Sequence, residues 1–244
     1  MIRRNLLATL VLLCSGCASY ITPGGPARLD QIDRADIAEV AARKPTTKFP
    51  ARIAVVRIQS SSYRSYSTDA NDDPRGNSYG QAPFRVVLTQ ELLTDQQIET
   101  MGKWPSVAGV APVTRLILPS RLDTIDDLRL AGAKVQADIL LVYTIDTSFR
   151  IQGKGYGPLT AISLGLVPDR DAYITSTASA ILIDVRSGFV YGVAEATAKT
   201  SGLASVWTAR STVDQKRVES EAASFNGLME QMTRTWSGIV KQYQ

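Results

Sequence analysis

Histidine is absent from the 244-residue sequence, cysteine occurs twice, and aromatic side chains make up 7% of the chain. Without histidine there is no side chain that titrates unperturbed near neutrality, and the commonest metal ligand is missing. Ser-His-Asp, Cys-His and histidine-ligated zinc hydrolysis are thereby excluded. Two cysteines cannot build a disulfide framework. No uncharged apolar run approaches the roughly 20 residues that a bilayer-spanning helix needs. What remains is 44% hydrophobic and 20% charged, the balance of a globular protein with a core.

The most specific feature lies at the start. Arg3 and Arg4 precede an apolar run, Leu6 to Leu13, which is followed by Cys14-Ser-Gly-Cys17-Ala18. A basic start, a short apolar stretch and small residues before a break read as an export signal. Ser15-Gly16-Cys17 resembles the lipobox of bacterial lipoproteins, in which the cysteine thiol is alkylated by diacylglycerol and the preceding peptide bond is cut. Cys17 is the lipid-attachment residue on this reading, with residues 1–16 as signal peptide. An ordinary cleaved signal is the alternative. Two or three acyl chains, each methylene contributing about 0.8 kcal/mol on burial, anchor far more firmly than one. Ala18 follows where an aspartate would favour inner-membrane retention. The expected location is therefore the outer membrane, facing the periplasm.

The formal net charge of +4 falls by two when Arg3 and Arg4 leave with the signal, and the remaining Lys and Arg are scattered. A nucleic-acid partner, which would gather them on one face, is not expected. Pro23-Gly-Gly-Pro26 marks residues 17–27 as a short tether, and residues 28–244 read as one domain.

Within that domain, Arg28–Arg43 is expected to form a surface helix, Ala51–Ile58 a strand, and Ser60–Gln81 a polar flexible loop. Phe84–Thr89 reads as a second strand. Thr94-Asp-Gln-Gln97 is a capping box that opens a helix running to Gly102. Val110–Leu118 is a third strand and Thr124–Gln136 a second capped helix. Asp138–Asp146 is uncharged between its flanking aspartates, so it is a central strand buried on both faces. Tyr173–Val185 and Phe189–Lys199 form a hairpin. Asp184 and Gly188 are its structural turn residues, one accepting amides and the other tolerating positive φ. Gly192, Ala194, Ala196 and Ala198 present one small face, with Tyr191, Val193, Glu195 and Lys199 opposite. Thr212–Tyr243 is a long amphipathic helix whose stripe of Val218, Ala222, Phe225, Met229, Met232, Trp236 and Ile239 faces the sheet.

Two segments carry candidate contacts. Tyr63, Tyr66 and Tyr79 sit in the polar loop, where they either grip a partner or are simply solvated. Leu159, Ile162, Leu164 and Leu166 belong to an uncharged connection between Pro158 and Pro168; it either caps the core or meets the bilayer or a protein. Gly153-Lys-Gly-Tyr-Gly157 lacks the Lys-Ser/Thr of a phosphate loop. No catalytic residue, metal site or cofactor is expected.

The lipobox, Leu118-Pro119, Asp138-Ile-Leu-Leu141, Leu164-Gly-Leu-Val-Pro168, Asp184-Val-Arg-Ser-Gly-Phe-Val-Tyr-Gly192 and the region of Trp207 together resemble the rhombotarget (rhombotail) bacterial lipoproteins. More distantly, the order of strands and helices is similar to curli-secretion channel lipoproteins and to the amino-terminal domain of the Tol propeller protein. These resemblances imply an assembly or interaction module without catalytic residues. The expected fold is a single α/β (α+β) domain: a mixed sheet of about five or six strands packed by helices. The expected function is a non-enzymatic envelope lipoprotein that binds or scaffolds protein partners. A subunit of an oligomeric secretion channel and a hydrolase without histidine are the alternatives.

Overall fold

The computed structural model describes residues 25–28, 33, 35–61, 63, 83–87, 92–114, 116–119, 122–153, 170–204 and 209–244. Among these residues one mixed sheet holds six strands, β1 (Ala51–Ser60), β2 (Phe84–Val87), β3 (Val107–Pro112), β4 (Ile139–Gly153), β5 (Arg170–Asp184) and β6 (Val190–Ala204). Four helices accompany it, α1 (Ile37–Ala42), α2 (Asp95–Gly102), α3 (Ile125–Lys134) and α4 (Ala209–Tyr243). The sheet order is β2-β1-β4-β5-β6, with β3 pairing along the first half of β1 on the side that β2 takes along the second half. β1 is parallel to β3 and β4 and antiparallel to β2, while β4, β5 and β6 form an antiparallel meander.

Period-two alternation sorts the core into two layers. Ile53 and Val55 of β1, Ile139, Leu141, Tyr143 and Ile145 of β4, and Ala178, Ala180 and Leu182 of β5 face α4, meeting Phe225, Leu228, Met232 and Trp236. Ala54, Val56, Ile58, Leu140, Val142, Ile181 and Ile183 face the other way, towards Ile125, Leu128 and Ala131 of α3. The central strand of the sequence reading is thus β4, buried on both faces. It is longer than expected: β4, β5 and β6 each run 15 residues. Their far halves leave β1 behind and continue as a three-stranded ribbon, covered on one face by the N-terminal half of α4, where Val213 packs with Ala172 and Ile174.

Other boundaries differ for identifiable reasons. Among the described residues of the expected helix Arg28–Arg43, helix is found only in α1, whose residues are all exposed, with Ile37 at 89%. Such a segment has no buried apolar stripe to drive it, and Asp33 ties back to Arg43 at 2.9 Å instead. The third strand begins at Val107 rather than Val110 and ends at Pro112; it follows β1 only to Val55, after which the chain turns and leaves Leu116 95% exposed. Tyr191 is not on the water-facing side of β6. A register shift leaves Ile183 opposite Val190 and Leu182 opposite Gly192, and this bulge swings Tyr191 inward against Phe189 and Tyr243. Val218 stands 36% exposed, while Arg217 and Glu221 take the inward positions.

The small face of β6 is where α4 comes closest. A Cβ on Gly192 would lie 2.8 Å from Thr235 Cγ2, and one on Gly227 would lie 3.2 Å from Ala196 Cβ. The Ser220 hydroxyl donates to Ala198 O at 3.2 Å. At the other end of the hairpin, Gly188 adopts φ 72° and its amide donates to Asp184 O at 2.9 Å. The Asp184 carboxylate is fully buried and accepts from Arg186 N and Ser187 N within the turn. It also accepts from the amides and hydroxyls of Thr46 and Thr47 and from the Tyr191 hydroxyl, at 2.7–3.1 Å. Burial pushes its pKa up, but these donors outweigh it and hold the carboxyl down at about 2.

Two predictions follow from this packing. Gly192→Val should lower stability by about 1–3 kcal/mol through overpacking, whereas Gly238→Ala, with nothing within 4 Å of its Cβ, should be neutral or stabilising; urea melts of both variants measure the contrast. For Asp184, a depressed folded-state pKa means that its contribution, roughly 2 kcal/mol, is present above pH 4 and is lost as pH falls towards 2. Asp184→Asn should be destabilised at pH 7 and show a flatter dependence of stability on pH below 4. An unchanged slope in denaturant titrations at a series of pH values would refute the assignment.

Candidate functional site

Arg57 follows Ile53 and Val55 on the face of β1 that meets α4, so β-alternation carries a guanidinium into the core, where Arg57 is 2% exposed. Glu221 and Arg217, one turn apart on α4, are buried to the same degree. Glu221 Oε2 lies 3.5 Å from Arg57 Nη2 and 3.1 Å from Arg217 Nη1, and Oε1 accepts from the Thr147 hydroxyl at 3.1 Å. Thr147 in turn shares a hydrogen bond with Ser176 of β5. Arg217 Nε donates to Asp214 at 3.1 Å. The cluster therefore joins β1, β4, β5 and α4 where the compact body passes into the ribbon.

Tyr63, three residues beyond β1, closes this cluster. Its hydroxyl accepts from Arg57 Nη2 at 3.2 Å, the guanidinium lies 5.3 Å from its ring centroid, and Arg85 of β2 donates to its carbonyl at 3.0 Å. Tyr143 lies beside it; burial pushes that phenol up to about 12 despite the nearby Arg57 charge, so it stays neutral and protonated. Among the described residues, two donors of Arg57, Nε and Nη1, are buried without an acceptor. Chemically the arrangement is a charge lock with spare donors. Its one fully buried carboxylate is shared between two guanidiniums and a hydroxyl, which leaves it no free role as a base.

Removing one member of such a network leaves uncompensated buried charge. Glu221→Ala should destabilise the protein by about 3–5 kcal/mol, while replacing Arg57, Arg217 and Glu221 together by apolar residues of similar size should cost less. Chemical denaturation of the single and triple variants compares them directly.

On the opposite face, beyond α3, Ile58, Val142 and Ile181 are buried, whereas Val193, Asp146, Ser148 and Arg150 are exposed. A groove of about 410 Å³ crosses the strands over Ile58, Val142, Ile181 and Val193, bordered by Thr144, Ser179 and Glu195. A second, of about 350 Å³, lies near the ribbon tip and is lined by Ser148, Phe149, Arg150, Gln152, Tyr173, Thr175 and Lys199. Among the described residues no group of three metal-ligating side chains occurs, and no helix is long and apolar enough to cross a membrane.

The candidate residues of the sequence reading distribute unevenly over this geometry. Tyr63, expected in the polar loop as a partner contact, is instead 1% exposed and part of the charge cluster, because Arg57 and Arg85 hold its hydroxyl and carbonyl. Asp184 and Gly188 sit in the β5–β6 turn. Cys17, Tyr66, Tyr79, Leu159, Ile162, Leu164 and Leu166 lie outside the described residues. Arg57, Arg217 and Glu221 were missed. The signal for Arg57 was a charge in phase with Ile53 and Val55, and for the other two a pair spaced i, i+4 near the helix stripe.

No family model matches the chain, and no curated protein matches it. Among solved structures, a Xanthomonas campestris protein of the DUF330 family is 10% identical over 82% of this chain and 95% of that one, with a TM-score of 0.36. Lipoprotein GNA1162 from Neisseria meningitidis is 15% identical over 79% of this chain and 97% of its own, with a TM-score of 0.29. Likeness at this level assigns neither family nor activity to the chain.

Proposed function

We propose that this protein is a lipid-anchored bacterial envelope lipoprotein that binds or scaffolds protein partners at the periplasmic face of the outer membrane, and is not an enzyme. The observation that carries the reading is the sequence from Arg3 to Ala18, a basic start, an eight-residue apolar run and a lipobox ending at Cys17. The resemblance to rhombotarget lipoproteins belongs to the same proposal.

The geometry is in keeping with it. Pro26 bridges to Gln59 at the end of β1, so only a short tether separates Cys17 from the sheet. Gly153 and Arg170 are paired at the ribbon tip. The connection between them carries Leu159, Ile162, Leu164 and Leu166, which we assign with Tyr66 and Tyr79 to contacts with the membrane or with partners. A strand-built channel wall needs an apolar band towards lipid, whereas the open ribbon face has Asp146, Ser148, Arg150 and Gln152 on β4 and Glu195, Thr197 and Lys199 on β6. The secretion-channel alternative is correspondingly weaker.

Cys17→Ser should move the protein from the membrane to the soluble periplasmic fraction, and the wild-type mature protein should carry diacylglycerol and acyl mass on its first residue. Retention of the serine variant in membranes after a carbonate wash, with the wild type unmodified, would overturn the anchor.

A further inference from the structure

The path of the chain at the sheet edge sets where a membrane would lie. Pro26 pairs antiparallel with Gln59, and Gly25 O accepts from Ser60 N at 3.2 Å. Followed from Pro26 back to Gly25, the chain therefore points in the direction in which β1 and its parallel neighbour β4 run, which is the direction of the ribbon tip. In the β1–β4 register Val56 stands opposite Val142, which puts Ser60 about level with Asp146. From Asp146 the ribbon continues for seven residues to Gly153, an overhang of about 23 Å at ~3.3 Å per residue. The eight-residue stretch from Cys17 to Gly25 spans at most about 28 Å. A tether of that length is long enough to reach the plane of the tip.

We infer that the ribbon tip is a second membrane contact, which docks onto anionic phospholipid headgroups through the groove between Arg150 and Lys199. The inference rests on the anchor reading for the position of the bilayer, and on the described residues for the contact itself. Arg150 and Lys199 are both exposed on the open face of the ribbon, with the Ser148 and Thr175 hydroxyls in the same groove. A guanidinium binds phosphate oxygens bidentately, and hydroxyls complete their shell. Tyr173, opposite Arg150 and 43% exposed, is the kind of amphipathic ring that settles at headgroup level. Among the described residues Asp171, opposite Gln152, and Asp146, opposite Thr177, are the acids nearest this groove on the same face, and neither lines it. Behind the groove, α4 packs Val213 on Ala172 and Ile174, which stiffens the ribbon as a spacer. The two attachments would fix the orientation of the body over the membrane, with the α3 side and its apolar groove held at a set height for a partner.

The test uses the chain from position 17 onward carrying Cys17→Ser, so that no acyl chain contributes. It is sedimented with phosphatidylcholine vesicles, with or without one-third phosphatidylglycerol. Binding should appear only with the anionic lipid, weaken with added salt, and fall at least fivefold in Arg150→Glu/Lys199→Glu. The control Lys103→Glu/Arg186→Glu removes the same charge from exposed sites elsewhere and should bind like the parent. Circular dichroism of each variant checks folding. No binding to anionic vesicles, or equal loss in the control pair, would overturn the tip contact. The anchor fails separately, through the mass of the wild-type first residue, which this measurement does not touch.

Discussion

Strand β4 belongs to two structures at once, and its ladder with β5 is the constraint on which the rest depends. Through its first residues it lies parallel to β1, with Val56 opposite Val142, inside a sheet covered on both faces. Along its whole length it pairs with β5, from Ile139 opposite Asp184 to Gly153 opposite Arg170. An unbroken antiparallel ladder cannot slip by one residue without turning Leu141, Tyr143 and Ile145 out of the α4 layer. Body and ribbon are therefore held in one register.

Where β1 stops pairing, a side chain replaces the missing strand. The carboxamide of Gln59 accepts from Ile145 N at 3.1 Å and donates to Ile145 O at 2.8 Å, the pair of bonds that a neighbouring backbone would make. Thr144 Oγ1 donates to the same amide oxygen and accepts from Ala27 N. This seals the β4 edge and pins the incoming chain, satisfying backbone groups that would otherwise be costly to bury.

Helix α4 changes character along its length in step with the sheet below. Its C-terminal half buries Phe225, Leu228, Met232 and Trp236 against the body; Trp236 stacks near Trp104 and Phe49 and donates to Pro105 O at 2.7 Å. Its N-terminal half buries Arg217, Ser220, Glu221 and Ser224. Apolar burial is tolerant of small displacements, whereas a shared carboxylate between two guanidiniums is directional. The ribbon is positioned by the directional half, which suits an element whose angle to the body matters.

Local chemistry alone determined a good part of this fold: the Thr94–Gln97 capping box, the uncharged run that became β4, and the turn at Asp184 and Gly188. Each is legible because the interacting groups are neighbours in sequence or share one period. The extent of the ribbon was not legible, since Ser148, Arg150 and Gln152, beyond the expected end of the central strand at Asp146, look like loop residues until paired strands satisfy their backbones. Neither was the inward turn of Tyr191, which needs a bulge, nor the burial of Tyr63, which needs Arg57 and Arg85 from two strands. The charge lock of Arg57, Arg217 and Glu221 was decided by tertiary structure alone. Whether a charge can be buried depends on a partner more than a hundred residues away along the chain, and only the folded sheet and helix bring that partner within reach.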